Sequence, residues 1–254
     1  MRILLVTQTE ELYLPAALKL FLENLPEYVE ISGCVLLAPS ANGAGRGNSF
    51  LNRLKIALTV FGVRFSLNVA TRLIYFSGLS GQTVKKIIKQ HGISVIELKE
   101  SINSESSVEL LTKFSPDLII SIQGNEIFGK RFLEISPCLN LHTAPLPKYR
   151  GLMPTFWAML NGERETAVSV FLVDEGIDSG PIYVQRPVAI ENMSLHQAII
   201  ATKRQGMFAV IEALDMIRDG RDPEIINDTT EGSYHGFPAR SDIEKFKRAG
   251  KKLF

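Results

Sequence analysis

Apolar runs alternate with segments of helical spacing through the first half of the chain. Residues 3–7 (Ile-Leu-Leu-Val-Thr) are a short, nearly unbroken apolar run and are predicted as a strand. Residues 15–25 place apolar side chains at helical intervals, and 29–37 read as a second strand. A third strand is expected at 93–98 after Gly92. A helix through Val108-Glu109-Leu110-Leu111 and a strand at 117–122 follow. Apolar strands separated by helices are buried on both faces, the mark of a parallel sheet. The fold class is therefore α/β, doubly wound, with ligands gathered beyond the carboxyl ends of the strands. Further along, 139–142 and 168–173 read as strands, and 182–190 as a strand leaving the Gly180-Pro181 turn. Residues 195–217 make one long helix, opened by Ser194 as N-cap and stopped at Asp219-Gly220. One domain over 1–220 results, with 221–254 as a short polar C-terminal extension. No internal repeat or low-complexity tract interrupts it.

One stretch departs from this pattern. Residues 31–96 contain no Asp or Glu, yet hold Arg46, Arg53, Lys55, Arg64, Arg72, Lys85, Lys86 and Lys89. An insertion is expected at about 40–86, with a Gly/Ser-rich front at 40–47 and basic and apolar residues at helical spacing over 50–79. Three readings stand open. They are a helical pair covering a sheet edge, a basic face for an anionic acceptor such as a nucleotide phosphate, and attachment to a membrane surface.

Composition narrows the class. The 254 residues are 45% hydrophobic and 22% charged, as in ordinary globular proteins, which excludes disorder for most of the chain. The net charge of +1 gives no general reason to expect nucleic acid, and none to expect DNA. Cys34 and Cys138 lie in apolar runs and are expected as reduced, buried thiols. No signal peptide opens the sequence, and no uncharged apolar run reaches the ~18–20 residues of a membrane span. A cytoplasmic location is expected.

The residues that carry chemistry cluster between 121 and 185. Asn140-Leu141-His142 closes a predicted strand, and residues two apart on a strand share a face. A carboxamide donor and an imidazole at one point suit an oxyanion and a proton transfer. The acidic loop Asp174-Glu175-Gly176-Ile177-Asp178-Ser179-Gly180-Pro181 could orient that imidazole. Between them lies a rigid turn ending in basic residues, Pro145-Leu146-Pro147-Lys148-Tyr149-Arg150-Gly151. His91, His196 and His235 are far apart in sequence and form no ligand cluster, so no metal is expected.

The two motifs, Asn140-Leu141-His142-Thr143-Ala144-Pro145-Leu146-Pro147-Lys148-Tyr149-Arg150-Gly151 and Asp174-Glu175-Gly176-Ile177-Asp178-Ser179-Gly180-Pro181-Ile182, resemble those of the folate-dependent formyltransferases. That family includes methionyl-tRNA, glycinamide ribonucleotide and nucleotide-linked amino-sugar N-formyltransferases. The resemblance implies a Rossmann-like, mostly parallel sheet and 10-formyltetrahydrofolate as co-substrate. It implies Asn140, His142 and Asp178 as the catalytic groups. It also implies a pterin site at Gly124, Asn125, Glu126, Ile127 and Phe128, opposed by Val173, Asp174 and Ile177. Departures are Ala144 and Ala167, where the family often has Ser and Gly.

The acceptor is expected to be a small primary amine bearing phosphate, with a nucleotide-linked amino sugar favoured. Lys148, Tyr149, Arg150 and Trp157 are the candidate acceptor-binding residues, through phosphate pairing and stacking. Methionyl-tRNA enzymes carry a further C-terminal domain, and only about 35 residues follow the last long helix here, which counts against tRNA. Glycinamide ribonucleotide enzymes carry a Gly-rich phosphate loop after the first strand. Thr7-Gln8-Thr9-Glu10-Glu11 stands there instead, and its acids would repel phosphate. A methionyl-tRNA formyltransferase-like enzyme, which the basic stretch 31–96 keeps open, other small-amine formyltransferases, a non-catalytic folate-binding module and a formyltetrahydrofolate hydrolase are the alternatives, and self-association is left open.

Overall fold

In the computed structural model, which describes residues 1–38, 50–79 and 81–254, the sheet is organised by alternation. Along β1 (Arg2–Gln8), Ile3 and Leu5 enter one apolar cluster while Leu4 and Val6 enter another, all four without exposure. A strand buried on both sides requires a helical layer on each. On the first side lie α1 (Leu14–Glu23), with Leu18 and Phe21 turned inward, and later helices described below. β2 (Glu30–Leu37) pairs parallel with β1 and makes the same division, Cys34 and Leu36 against Val35 and Leu37.

The acid-free insertion is helical, as expected over 50–79. α2 (Phe50–Ile56) runs on as a π-helical turn, Ala57–Phe61, and α3 (Val63–Leu73) as another, Ile74–Leu79. Arg46 and the Gly/Ser-rich front at 40–47 lie outside the described residues, as does the Arg53 side chain. α4 (Val84–Gln90) buries Val84, Ile87 and Ile88 beside α1. The strand expected at 93–98 shrinks to β3 (Val95–Ile96), because only Cys34 and Val35 of β2 pair with it.

α5 (Glu105–Thr112) and, after β4 (Leu118–Ile122), α6 (Lys130–Leu133) cover the second face through Leu111 and Phe132. β5 (Cys138–His142) is followed by the two-residue β6 (Arg150–Gly151) and α7 (Pro154–Leu160). β7 (Glu165–Leu172), β8 (Ile182–Ala189) and α8 (Leu195–Arg218) complete the sheet and its main covering helix. Ser194 caps α8 as the sequence indicates, with Gln197 returning the bond in a capping box. Among the described residues the sheet has seven strands in the order β3-β2-β1-β4-β5-β7-β8. The first five are parallel; β7 runs antiparallel to both neighbours. The mostly parallel α/β class is thus observed.

Gly206 brings α8 down on β5. A Cβ there would stand 2.6 Å from Leu141 Cδ2, so a larger residue would force the Leu141 side chain to move. Residues 221–254 pack on the body. β9 (Tyr234–His235) pairs with β6, and α9 (Arg240–Arg248) buries Phe246, stacked on Phe156 at 4.9 Å. The helical pair α2–α3 meets α9 and the C-terminal residues rather than lying along a sheet edge, through Phe61 on Phe237 and Phe65 on Phe254. Both cysteines are unpaired and buried. No helix among the described residues is long and apolar enough to cross a membrane.

Candidate active site

β4 and β5 run in register, Ser121 beside Asn140 and Ile122 beside Leu141, so their carboxyl ends finish together. There the chain turns sharply, with Gln123 at φ 60°. A cavity of about 500 Å³ opens at this end, reaching Gln8 and Glu10 after β1, the loop 123–128, Asn140 and His142 on β5, and 173–178. It sits where a doubly wound sheet places its ligands.

Asn140, His142 and Asp178 all line this cavity. The Asn140 carboxamide is half-buried and has no hydrogen-bond partner among the described residues, leaving its donors for whatever enters. His142 is buried, and its two nitrogens are held separately. Nε2 lies 2.8 Å from Tyr149 O and Nδ1 3.6 Å from Asp178 Oδ2. A hydrogen on Nε2 donates to that carbonyl, which leaves Nδ1 as the atom facing the carboxylate. Asp178 is fixed in turn. Its Oδ2 accepts from Gly151 N at 2.8 Å, and its backbone oxygen from Asn227 Nδ2 at 3.0 Å. Four non-glycine residues with left-handed backbone surround the site: Gln123, Tyr149, Met153 and Asp178, at φ between 50° and 60°. Such conformations cost energy and collect where side chains must be aimed.

The predicted pterin residues converge as well. Gly124, Asn125, Glu126, Ile127, Phe128, Val173, Asp174 and Ile177 line the same cavity. Gly124 must be glycine, since a Cβ would stand 2.7 Å from Ser121 Oγ and 3.3 Å from the Phe128 ring. Glu126 accepts from Ser101 Oγ at 2.6 Å and Ile102 N at 3.2 Å, which pins the loop. Asp174 holds its own loop, accepting from Gly176 N and Ser179 Oγ. Ile127 and Ile177 are exposed aliphatics on the cavity wall. Asn125 Nδ2 donates to Ala38 O, but its Oδ1 is buried without a partner. An unpaired buried acceptor beside aliphatic walls fits a flat, hydrogen-bonding heterocycle such as a pterin.

The expected acceptor-side residues stand apart from this cavity. Lys148, Tyr149, Arg150 and Trp157 are not among the residues that line the cavity. Lys148 points to solvent, because it stands on the outer side of the turn. Tyr149 buries its ring and donates from its hydroxyl to Glu163, so it serves the site only through its backbone oxygen. Arg150 reaches Ile177 O at 3.5 Å on the back of the acidic loop. Trp157 stacks on His235 at 4.8 Å and donates to Leu152 O and Gly236 O, which seats the C-terminal segment.

Two charged residues were missed as members of the site. Lys203 lies on the line Leu195, Ile199, Lys203, Met207 of α8, four residues apart, all facing the cavity. A lysine on an otherwise apolar helix stripe was the available signal. It donates to Gln123 Oε1, and burial pushes its ammonium below the ordinary range while Glu10 opposes that shift. Glu10 is the second. Its carboxylate accepts from Leu12 N at 2.7 Å, Tyr13 N at 3.1 Å and Leu14 N at 3.1 Å, occupying the N-terminus of α1. The helix end that could receive a phosphate therefore already holds an anion from its own chain. Glu11 does the same for α4 at Val84 N, and burial raises its carboxyl above the usual range. Among the described residues no group of three or more His, Cys, Asp or Glu is placed to hold a metal.

Residues 78–212 match the family model described as formyl transferase. Two curated relatives are methionyl-tRNA formyltransferases. That of Pelobacter propionicus is 34% identical over 153 residues, covering 58% of this chain and 47% of the relative. That of Kosmotoga olearia is 39% identical over 111 residues, 43% of this chain and 35% of the relative. The chain thus spans about half the length, or less, of these relatives. Among solved structures, glycinamide ribonucleotide transformylase 1 from Symbiobacterium toebii superposes with a TM-score of 0.59 at 17% identity, covering 87% of this chain and 89% of that one. A sugar N-formyltransferase from a Shewanella species does so at 0.58 and 16% identity, covering 93% and 76%. At these identities the structures speak for the shared fold.

Proposed function

The chain belongs to the formyl transferase family, and on that premise we propose that it moves a formyl group from 10-formyltetrahydrofolate to a primary amine, with a nucleotide-linked amino sugar as acceptor. The observation that carries this reading is the meeting of Asn140, His142 and Asp178 in one cavity with the loop 123–128. Ile127, Phe128, Val173 and Ile177 would flank the pterin, and Asn125 Oδ1 and the loop backbone would pair with its edge. When bound, the co-substrate supplies the formyl carbon that the acceptor nitrogen takes up.

The protein's own part follows from its donors. The Asn140 carboxamide holds the formyl oxygen as negative charge gathers on it. One such positioned donor is worth about 3 kcal/mol of barrier. His142 is the group able to hold a proton at that point and to pass one from the acceptor amine toward the departing folate nitrogen. Asp178, 3.6 Å from Nδ1, keeps the ring turned to the reaction. Ile199 and Met207 add aliphatic surface to the cavity wall beside these groups.

Glu10 supports an acceptor other than glycinamide ribonucleotide, since its carboxylate fills the helix end where a phosphate loop would work. The kinship with methionyl-tRNA formyltransferases favours a second reading, with aminoacyl-tRNA as acceptor. Calorimetric titration with a non-reactive analogue of 10-formyltetrahydrofolate tests the donor site. Micromolar binding, about −8 kcal/mol, that weakens at least tenfold in Ile127→Trp is expected; no heat at any temperature would refute it. Turnover is then compared with nucleotide amino sugars, with aminoacyl-tRNA and with no amine. Folate turnover that needs no amine would instead mark a hydrolase.

A further inference from the structure

The helices over 50–79 carry apolar side chains on both sides. On the inner side Phe61 stacks on Phe65 at 4.5 Å, Phe61 meets Phe237 edge-on at 6.0 Å, and Phe65 meets Phe254 at 5.2 Å. Those rings bind the pair to the body, and the face opposite them would be polar on an ordinary surface helix. It is not. Leu51, Leu54 and Leu58 follow at intervals of three and four, and Val63, Leu67 and Ile74 at four and seven, so each set forms one stripe. Leu51 is 73% exposed, Val63 64%, Leu67 61% and Ile74 66%, with Leu54 and Leu58 near 40%, so most of this aliphatic surface faces solvent. Lys55 and Arg64 stand exposed beside these stripes.

Charge is segregated to match. Eight of the 28 basic residues and none of the 27 acidic ones fall within 31–96. Of these, Lys55 and Arg64 stand exposed on α2 and α3, whereas Arg72 turns inward onto Phe254 and His196, and Lys85 on α4 pairs with Glu97. We infer that the outer face of α2 and α3 binds an anionic membrane surface, with the aliphatic stripes set into the headgroup layer and the basic side chains on lipid phosphate. Aliphatic stripes flanked by cations are what an interfacial helix presents. RNA would be met by several aromatic and hydrogen-bonding side chains, whereas here Tyr75, 56% exposed, stands among six exposed aliphatics. A symmetric second copy would set two positive, acid-free faces against each other. The association is peripheral, since no described helix can cross a bilayer. It stands independently of the formyl-transfer reading.

The test is co-sedimentation of the full chain with phosphatidylcholine vesicles, with and without phosphatidylglycerol. Binding to the phosphatidylglycerol vesicles alone is expected, falling about tenfold between low and physiological salt. Leu67→Glu with Ile74→Glu should reduce it by about tenfold or more, and Lys55→Glu with Arg64→Glu by a similar factor. Both pairs are exposed, so circular dichroism and folate-analogue binding should match the parent. Absence of vesicle binding in the parent, or binding unchanged by both pairs, overturns the inference. So does a result in which these variants abolish only self-association or only tRNA binding, which would assign the face to a second copy or to RNA.

Discussion

His142 has its Nε2 tied to Tyr149 O and its Nδ1 turned to Asp178, so the ring is oriented before any ligand arrives. Replacing Asp178 by Asn keeps an acceptor for Gly151 N but removes the charge facing the imidazole. Asp178→Asn and His142→Ala should each lower turnover by about 10²- to 10⁴-fold with little change in the melting temperature. Steady-state rates and thermal melts of the two variants check this, and near-parental rates would remove the mechanism. Lys203 offers a second test at this scale. Burial lowers its folded value from the ordinary 10.5, so the unfolded chain binds more protons and the penalty is relieved as pH rises toward 10.5. Lys203→Met should therefore raise the urea midpoint at neutral pH, by an increment that shrinks toward the alkaline end. The meeting of Asn140 and His142 in one cavity was legible in the sequence because strand parity puts them on one face. That Arg150 and Trp157 stand outside the cavity was not legible, because side-chain type says nothing about which way a turn presents it, and the partners of both came from distant segments.

At the scale of elements, capping does more than end helices. Glu10 satisfies three backbone donors at the entry to α1, those of Leu12, Tyr13 and Leu14, and its removal should cost about 1–2 kcal/mol. It should also expose a helix end to anions. Glu10→Ala is therefore expected to melt lower than the parent and to be stabilised by inorganic phosphate, while the parent shows no phosphate effect. Differential scanning fluorimetry across a phosphate series reads both, and equal responses would show that Glu10 does not occupy an anion position. Strands β1, β2, β4 and β5 were legible from unbroken apolar runs, and α8 from its cap and length. β6 and β9 were not, because two residues joined across more than eighty positions leave no periodicity. β3 was overestimated because an edge strand ends where its one neighbour stops pairing.

For the whole molecule, burial of acids that are neutral when protonated sets an alkaline limit. Burial pushes Cys34 from 9.0 up to about 12, and burial with the Asp215 bond pushes Tyr28 from 10.0 to about 12. Cys138 and Tyr13 are raised further by burial. From about pH 9 the unfolded chain releases these protons while the folded chain keeps them. This stability is full below that point and is lost as pH rises toward 12. Urea midpoints should fall across the window, and Cys34→Ala with Cys138→Ala should delay the onset. The body and the C-terminal segment are one cooperative unit: Phe246→Ala should cost about 3–5 kcal/mol in a single transition. The α/β class was readable from composition and run lengths, whereas the contribution of 221–254 was not, because its polar sequence hides aromatic contacts, of His235, Phe237, Phe246 and Phe254 with the body, that only the folded chain reveals.

The carbonyl that holds His142 belongs to Tyr149, whose own N–H donates to Ser233 Oγ, while Arg150 N donates to Ser233 O and Leu152 N to His235 O. During synthesis the ribosome delivers β1 through α8 first, and that portion already contains the sheet and both helical layers. The loop that seats the imidazole, however, finds its last partners only when residues 233–235 emerge. A chain arrested before them carries a histidine without its final orientation, so the geometry of the candidate site is completed only after the sheet that positions it has been made.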